Sequence, residues 1–85
     1  AEVEHVLRSH PSIREAAVIG VQDEKWGEVG CAFVVNTQDL KAEQIADFCR
    51  ERLAKFKVPK HFRFLSALPK GDSGKILKKE LQKTF

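Results

Sequence analysis

Two apolar runs, Ile13 to Val21 and Val29 to Val35, constrain this chain most, because both are nearly unbroken rather than alternating. A strand with one wet face alternates apolar and polar residues, whereas a continuous run calls for cover on both sides. The runs favour β-branched residues and alanine, and the Gln22-Asp23-Glu24-Lys25-Trp26-Gly27 stretch between them suits an exposed connection. They read as adjacent strands, a candidate hairpin, with helices laid over the sheet.

The covering helices are legible on either side. Val3, Val6 and Leu7 give an i, i+3, i+4 stripe, which His10-Pro11 ends because the residue before proline is pushed out of the α region. From Ala42 to Ala54, Ile45, Phe48, Cys49 and Leu53 mark one face, with Glu43, Asp47, Arg50 and Glu51 off it. Lys41 stands where a capping Ser or Thr would serve that helix better. A short alternating strand runs from His61 to Leu65, and a last helix follows Lys75, with Leu77, Leu81 and Phe85 on one face and Asp72 and Ser73 as candidate N-caps. The order helix-strand-strand-helix-strand-helix implies an α+β sandwich, a small sheet of about three strands with helices packed on it. No internal repeat or low-complexity segment interrupts it.

At 85 residues the chain is one small domain that buries about 60 to 65% of its unfolded surface, which leaves little room for a deep pocket. With 42% hydrophobic and 32% charged residues it has enough apolar matter for a core and no signature of disorder. A net charge of +3 favours anionic partners mildly, and Lys70, Lys75, Lys78, Lys79 and Lys83 concentrate that preference near the end. A lysine cluster of this kind is otherwise a solvated helix face. Cys31 and Cys49 sit in apolar settings and read as small core residues of a reducing compartment, and His5, His10 and His61 show no metal-ligand spacing. No signal peptide or membrane span is expected, because the longest apolar stretch falls far below about 18 residues, and the expectation is a soluble, cytoplasmic domain. The chain lacks methionine and opens inside a helical pattern at Ala1-Glu2-Val3, as if cut from something longer.

The chemistry concentrates in Leu68-Pro69-Lys70-Gly71-Asp72-Ser73-Gly74-Lys75. Pro69 withholds a backbone donor, while Gly71 and Gly74 permit conformations and close approaches that a Cβ forbids. Such a loop can hold Lys75 against an anionic ligand, with Ser73 in support. It is not a P-loop, since GxxGK lacks the GxxxxGK[ST] spacing and Ile76 replaces the magnesium-binding hydroxyl. Gly71-Asp72-Ser73-Gly74 also fits the GxxG clamp of KH-type nucleic-acid modules, but Asp72 puts a negative charge in the clamp and no aromatic residue lies among Lys70, Lys75, Lys78, Lys79 and Lys83 around it. Nucleic acid is therefore not an expected partner.

Taken in order, the segments resemble the C-terminal domain of adenylate-forming enzymes, the acyl-CoA and aryl-CoA synthetase superfamily. The resemblance rests on the Glu2-Val3-Glu4 helix, Val18-Ile19-Gly20-Val21 with Asp23 and Trp26-Gly27-Glu28, Ala32-Phe33-Val34-Val35, Phe48-Cys49-Arg50, Leu53 to Pro59, and Leu68-Pro69 with Ser73-Gly74-Lys75-Ile76. It spans essentially all 85 residues. It implies a two-step ligase in which a carboxylate attacks ATP to give an acyl-adenylate and pyrophosphate, and the thiol of CoA then displaces AMP.

In that scheme a large N-terminal domain binds acid and ATP with its Mg²⁺, and this domain, residues 1–85, is the mobile lid that offers a different face in each half-reaction. The N-terminal domain, the hinge residue and the loop lining the pantetheine tunnel are expected before Ala1, so the 85 residues alone are expected to be inactive. The resemblance makes Lys75 the adenylation lysine and Trp26, Phe56 and Lys60 part of the CoA site, with Val58 where relatives can carry a basic residue. No metal ligand is expected, and Glu28 is assigned no chemistry. A carrier-protein-loading domain or a luciferase-like enzyme shares the Lys75 motif, so the motif leaves the acceptor open; the Phe56-Lys57-Val58-Pro59-Lys60 segment leans toward free CoA.

Overall fold

The computed structural model describes residues 2–85; Ala1, where the expected first helix opens, lies outside the described residues. Helix α1 (Glu2–Arg8) leads into β1 (Ile13–Asp23) and β2 (Gly27–Asn36), then α2 (Ala42–Arg50), a 3₁₀ turn (Lys55–Lys57), β3 (His61–Phe64) and α3 (Lys78–Thr84). The expected element order therefore holds. The sheet runs β1-β2-β3, with β1 and β2 antiparallel from Asp23↔Gly27 outward and β3 parallel to β2 from Cys31↔His61 to Val34↔Phe64. A parallel neighbour requires a crossover, and α2 with the 3₁₀ turn supplies it.

The continuous apolar runs are explained by cover on both faces. On one side Ala16, Ala32 and Val34 pack with Leu7, Ile45, Cys49 and Leu53; on the other Ala17, Ile19, Cys31, Phe33 and Val35 pack with Leu68 and Leu81. Ile13 joins the first cluster because a bulge between Ile13 and Glu15 shifts the register, putting Ile13 on the same face as Ala16. Phe33 is fully buried in the central strand. Both cysteines are free and buried, and burial pushes each thiol above its ordinary value, which disfavours the nucleophilic thiolate.

Three local expectations need correction. Helix α2 stops at Arg50 rather than Ala54, because the Arg52 and Leu53 N–H groups both donate to the Cys49 carbonyl and Ala54 then turns extended. Phe48 stays half-buried at the edge, against the His10 ring at 4.7 Å and under the Arg52 guanidinium at 3.7 Å, while Ala46 takes a core place. The missing Ser or Thr cap of α2 is partly replaced by Gln44, whose side-chain oxygen accepts the Lys41 N–H at 2.9 Å.

The third correction concerns the loop ahead of the last helix. Helix α3 begins at Lys78, its N-cap is Leu77 with no side-chain cap, and neither Asp72 nor Ser73 caps it. Residues 69–77 close instead into a small hairpin: Gly71 N–H donates to Lys75 O at 2.9 Å, Gly74 N–H to Gly71 O at 3.0 Å and Leu77 N–H to Pro69 O at 2.9 Å, with Lys70 bridged to Ile76. These backbone bonds use donors that a longer helix would have needed. Of the expected stripe only Leu81 is buried, while Leu77 and Phe85 are about two-fifths exposed at 40% and 41%.

Candidate functional site

Lys75 rides on this hairpin, ahead of α3 rather than at a helix start. Gly74 makes the hairpin possible: its φ of 82° lies in the left-handed region, where any side chain is strained. Gly71 supplies both a donor and an acceptor to the closure, and Ser73 is exposed at the tip. The hairpin is tied to β1 through Lys70, whose Nζ lies 2.7 Å from Glu15 Oε1; that oxygen is shut off from solvent and badly directed for a hydrogen bond, so the tie is an ion pair by distance.

The neighbouring lysines are largely committed. Lys70 pairs with Glu15, Lys78 with Glu4 at 2.9 Å, and Lys83 with Glu80 at 3.3 Å. Burial pushes the Glu4 carboxyl up, but Lys78 and the Val18 N–H bond outweigh it and hold the group below its ordinary value. Among the described residues Lys75 has no ion-pair partner, so its ammonium is available to an incoming anion. It borders an open hollow of about 630 Å³ with Ile76, Leu77 and Lys78.

A second set gathers at the β1–β2 turn. One Asp23 carboxylate oxygen accepts the Lys25 N–H at 2.8 Å and the Trp26 N–H at 3.0 Å, and the other meets His61 Nε2 at 3.1 Å. The Trp26 and Lys25 backbone bonds, with His61 added, hold the Asp23 carboxyl below the usual aspartate range despite some desolvation. Gly27 closes the turn with φ 81°. Trp26 remains 57% exposed, and two ammonium groups lie near its ring, Lys60 at 4.9 Å and Lys25 at 5.0 Å from the centroid. Both distances are within cation–π range.

Lys60 directly precedes β3, and its N–H donates to Gly30 O at 3.0 Å. It shares a shallow groove of about 330 Å³ with Phe56, Val58, Gly20, Glu28 and Gly30. Phe56, on the 3₁₀ turn, is 85% exposed, whereas Val58 packs against the first core cluster. Glu28 lies over Gly20 so closely that a Cβ there would come within 3.0 Å of its carboxyl carbon. The structure thus brings Trp26 and Lys60 together and Phe56 beside Lys60, and keeps Lys75 on a different element. Sequence reasoning missed Asp23, His61 and Glu15 as anchors. The Asp-x-x-Trp-Gly spacing carries an Asx-turn signal that could have shown the first.

Among the described residues no group of three or more His, Cys, Asp or Glu could hold a metal ion, and no helix is long and apolar enough to cross a membrane. The sequence matches the family described as AMP-binding enzyme C-terminal domain over residues 2–75. This chain belongs to that family. The chain is similar to 2-succinylbenzoate-CoA ligases of Bacillus mycoides (52% identical over 83 residues) and Bacillus cereus (50% over 82), covering 98% and 96% of its length. It spans only 17% of those relatives' length. Among solved structures it is similar to a Mycobacterium tuberculosis fatty acyl CoA synthetase, with TM-score 0.93 and 44% identity over 99% of the chain and 17% of that one. It is also similar to the o-succinylbenzoate CoA synthetase of Bacillus subtilis bound to a product analogue, with TM-score 0.89 and 46% identity over 96% and 17% of the two chains.

Proposed function

We propose that these residues form the mobile C-terminal lid of an acid-CoA ligase that works with a larger N-terminal adenylation domain of the same polypeptide. The observation that carries the reading is the placement of two lysines without ion-pair partners among the described residues, Lys75 and Lys60, on separate structured segments, one held at the Glu15 end of β1 and the other facing Trp26 beyond Asp23. A lid that serves two half-reactions needs two such faces.

In the first half-reaction a substrate carboxylate attacks the α-phosphorus of ATP, and pyrophosphate leaves with the electron pair of the broken P–O bond. Magnesium enters with ATP as substrate. Two anions converge in this step and charge moves onto the leaving group, so the Lys75 ammonium stabilises the transition state more than the ground state. Lysine suits a lid because its compact charge travels on a flexible stem. In the second half-reaction the CoA thiol attacks the acyl carbon and AMP leaves. Trp26 offers an aromatic face to CoA, Lys60 and Lys25 offer charge to its phosphates, and the exposed Phe56 borders the same path.

The names of the relatives support 2-succinylbenzoate as the acid and free CoA as the acceptor. In the full-length protein Lys75→Ala is expected to lower acyl-adenylate formation, read as ATP–pyrophosphate exchange, by about 10² to 10³. Thioester formation from supplied adenylate should survive. Equal loss of both half-reactions would refute this division of labour.

A further inference from the structure

We propose that Asp23 is a positioning residue for the thiol-transfer half-reaction, fixing the Trp26 turn to the start of β3 so that Trp26 and Lys60 meet a CoA molecule as one unit. The inference rests on the reading of Trp26 and Lys60 as the CoA-facing pair. It adds a residue that touches neither CoA nor the reacting atoms.

The geometry concentrates three bonds on one side chain. The Lys25 and Trp26 N–H groups donate to the same Asp23 oxygen at 2.8 and 3.0 Å, which fixes the backbone on both sides of the Lys25–Trp26 peptide. The second oxygen engages His61 Nε2 at 3.1 Å, and His61 is the first residue of β3, directly after Lys60. Asp23 therefore joins the segment that carries Trp26 to the segment that carries Lys60, across the sheet from β1 to β3. Sheet pairing and the Lys60 N–H bond to Gly30 O place the two segments, but without this link only a weak attraction at an exposed site would hold the Lys60 ammonium and the Trp26 ring at 4.9 Å. The Asp23 side chain keeps only 18% of its exposure and His61 keeps 31%, so the link is partly sheltered from water. His61 also has Phe85 edge-on at 5.2 Å, with the Arg63 guanidinium 4.9 Å above that same ring, which steadies the imidazole from α3's end.

The test uses the full-length ligase and four variants: Asp23→Ala, Asp23→Asn, Trp26→Ala and the Asp23→Ala/Trp26→Ala double variant. Asp23→Ala is expected to raise the KM for CoA about tenfold with ATP–pyrophosphate exchange changed less than about twofold, the size expected for losing hydrogen bonds to a charged group. Asp23→Asn keeps an oxygen for both N–H groups and should recover most of that loss. The double variant should match Trp26→Ala alone, because a residue that acts through Trp26 has nothing left to position. An unchanged CoA constant in Trp26→Ala would sink the reading of the pair, and the positioning role with it. A raised constant in Trp26→Ala with none in Asp23→Ala, full additivity in the double variant, or equal loss of both half-reactions in Asp23→Ala would overturn the positioning role alone. Because pyrophosphate exchange requires a folded enzyme, its survival separates misplacement of Trp26 from failure to fold.

Discussion

The hairpin that carries Lys75 and the turn that carries Trp26 solve the same problem, holding an exposed side chain on a short loop, by different means. The hairpin is closed by its own backbone, with Gly71, Lys75, Pro69 and Leu77 supplying the bonds and Gly74 the left-handed φ. The Trp26 turn is closed by a side chain, the Asp23 carboxylate. Their anchors, Glu15 and Asp23, stand near the two ends of β1, about 26 Å apart at the rise of an extended strand. Backbone closure leaves the Lys75 side chain without an ion-pair partner among the described residues, whereas side-chain closure ties the Trp26 turn to His61 of β3, beside Lys60. One device suits a charge that must reach out alone, and the other suits a platform made of several residues.

The comparison can be broken hardest from below. Leu81 is the buried residue of α3, a helix too short to persist without tertiary support. Leu81→Ala should lower stability by about 2–5 kcal/mol in chemical denaturation. It should also loosen the adjoining Lys75 hairpin while sparing the Trp26 turn, a difference that hydrogen exchange at Gly71 and Trp26 would read. Gly74→Ala comes next, with about 1–2 kcal/mol of strain at a left-handed position and a loss confined to adenylation. If that variant slowed thioester formation as much, the two loops would not be independent.

The Asp23 turn gives a pH test of opposite design. Its folded pKa is depressed, so its contribution to stability is full above the ordinary aspartate value of about 3.9 and is lost as pH falls through the lower folded value. The stability gap between wild type and Asp23→Asn should shrink over that acid range in thermal unfolding, and a gap that stays constant there would contradict the depressed pKa. The smallest effect belongs to Glu15→Gln. The Lys70–Glu15 pair is part-exposed, at 41% and 26%, and a pair of this kind contributes about 1 kcal/mol or less. A larger loss would mean that the hairpin depends on a side-chain anchor after all.

Much of the fold could be read from residues. The two unbroken runs called for a sheet covered on both faces, and the fully buried Ala32, Phe33 and Val34 meet that demand. The parallel pairing of β3 was not legible, because four residues carry no pattern that separates parallel from antiparallel neighbours. Leu77 and Phe85 misled because their spacing matches a helix face. The Pro69–Leu77 bond keeps Leu77 outside α3, and Phe85 lies against His61 rather than in the core. At the site, the motif pointed to Lys75, Trp26, Phe56 and Lys60, but the Trp26–Lys60 contact depends on how β1 and β3 flank β2. Asp23's link to His61 spans the same distance in the fold, so single-chain spacing could suggest its Asx turn and nothing further.

The most direct test crosses the two lysines in the full-length protein. Lys75→Ala and Lys60→Ala would each be measured in ATP–pyrophosphate exchange and in thioester formation from supplied acyl-adenylate across CoA concentrations. The account predicts a crossed result: Lys75→Ala loses exchange by about 10² to 10³ and keeps thiol transfer, while Lys60→Ala keeps exchange and shows a raised CoA constant. Parallel losses, with both variants depressing both steps to the same degree, would contradict a lid with two separate working faces.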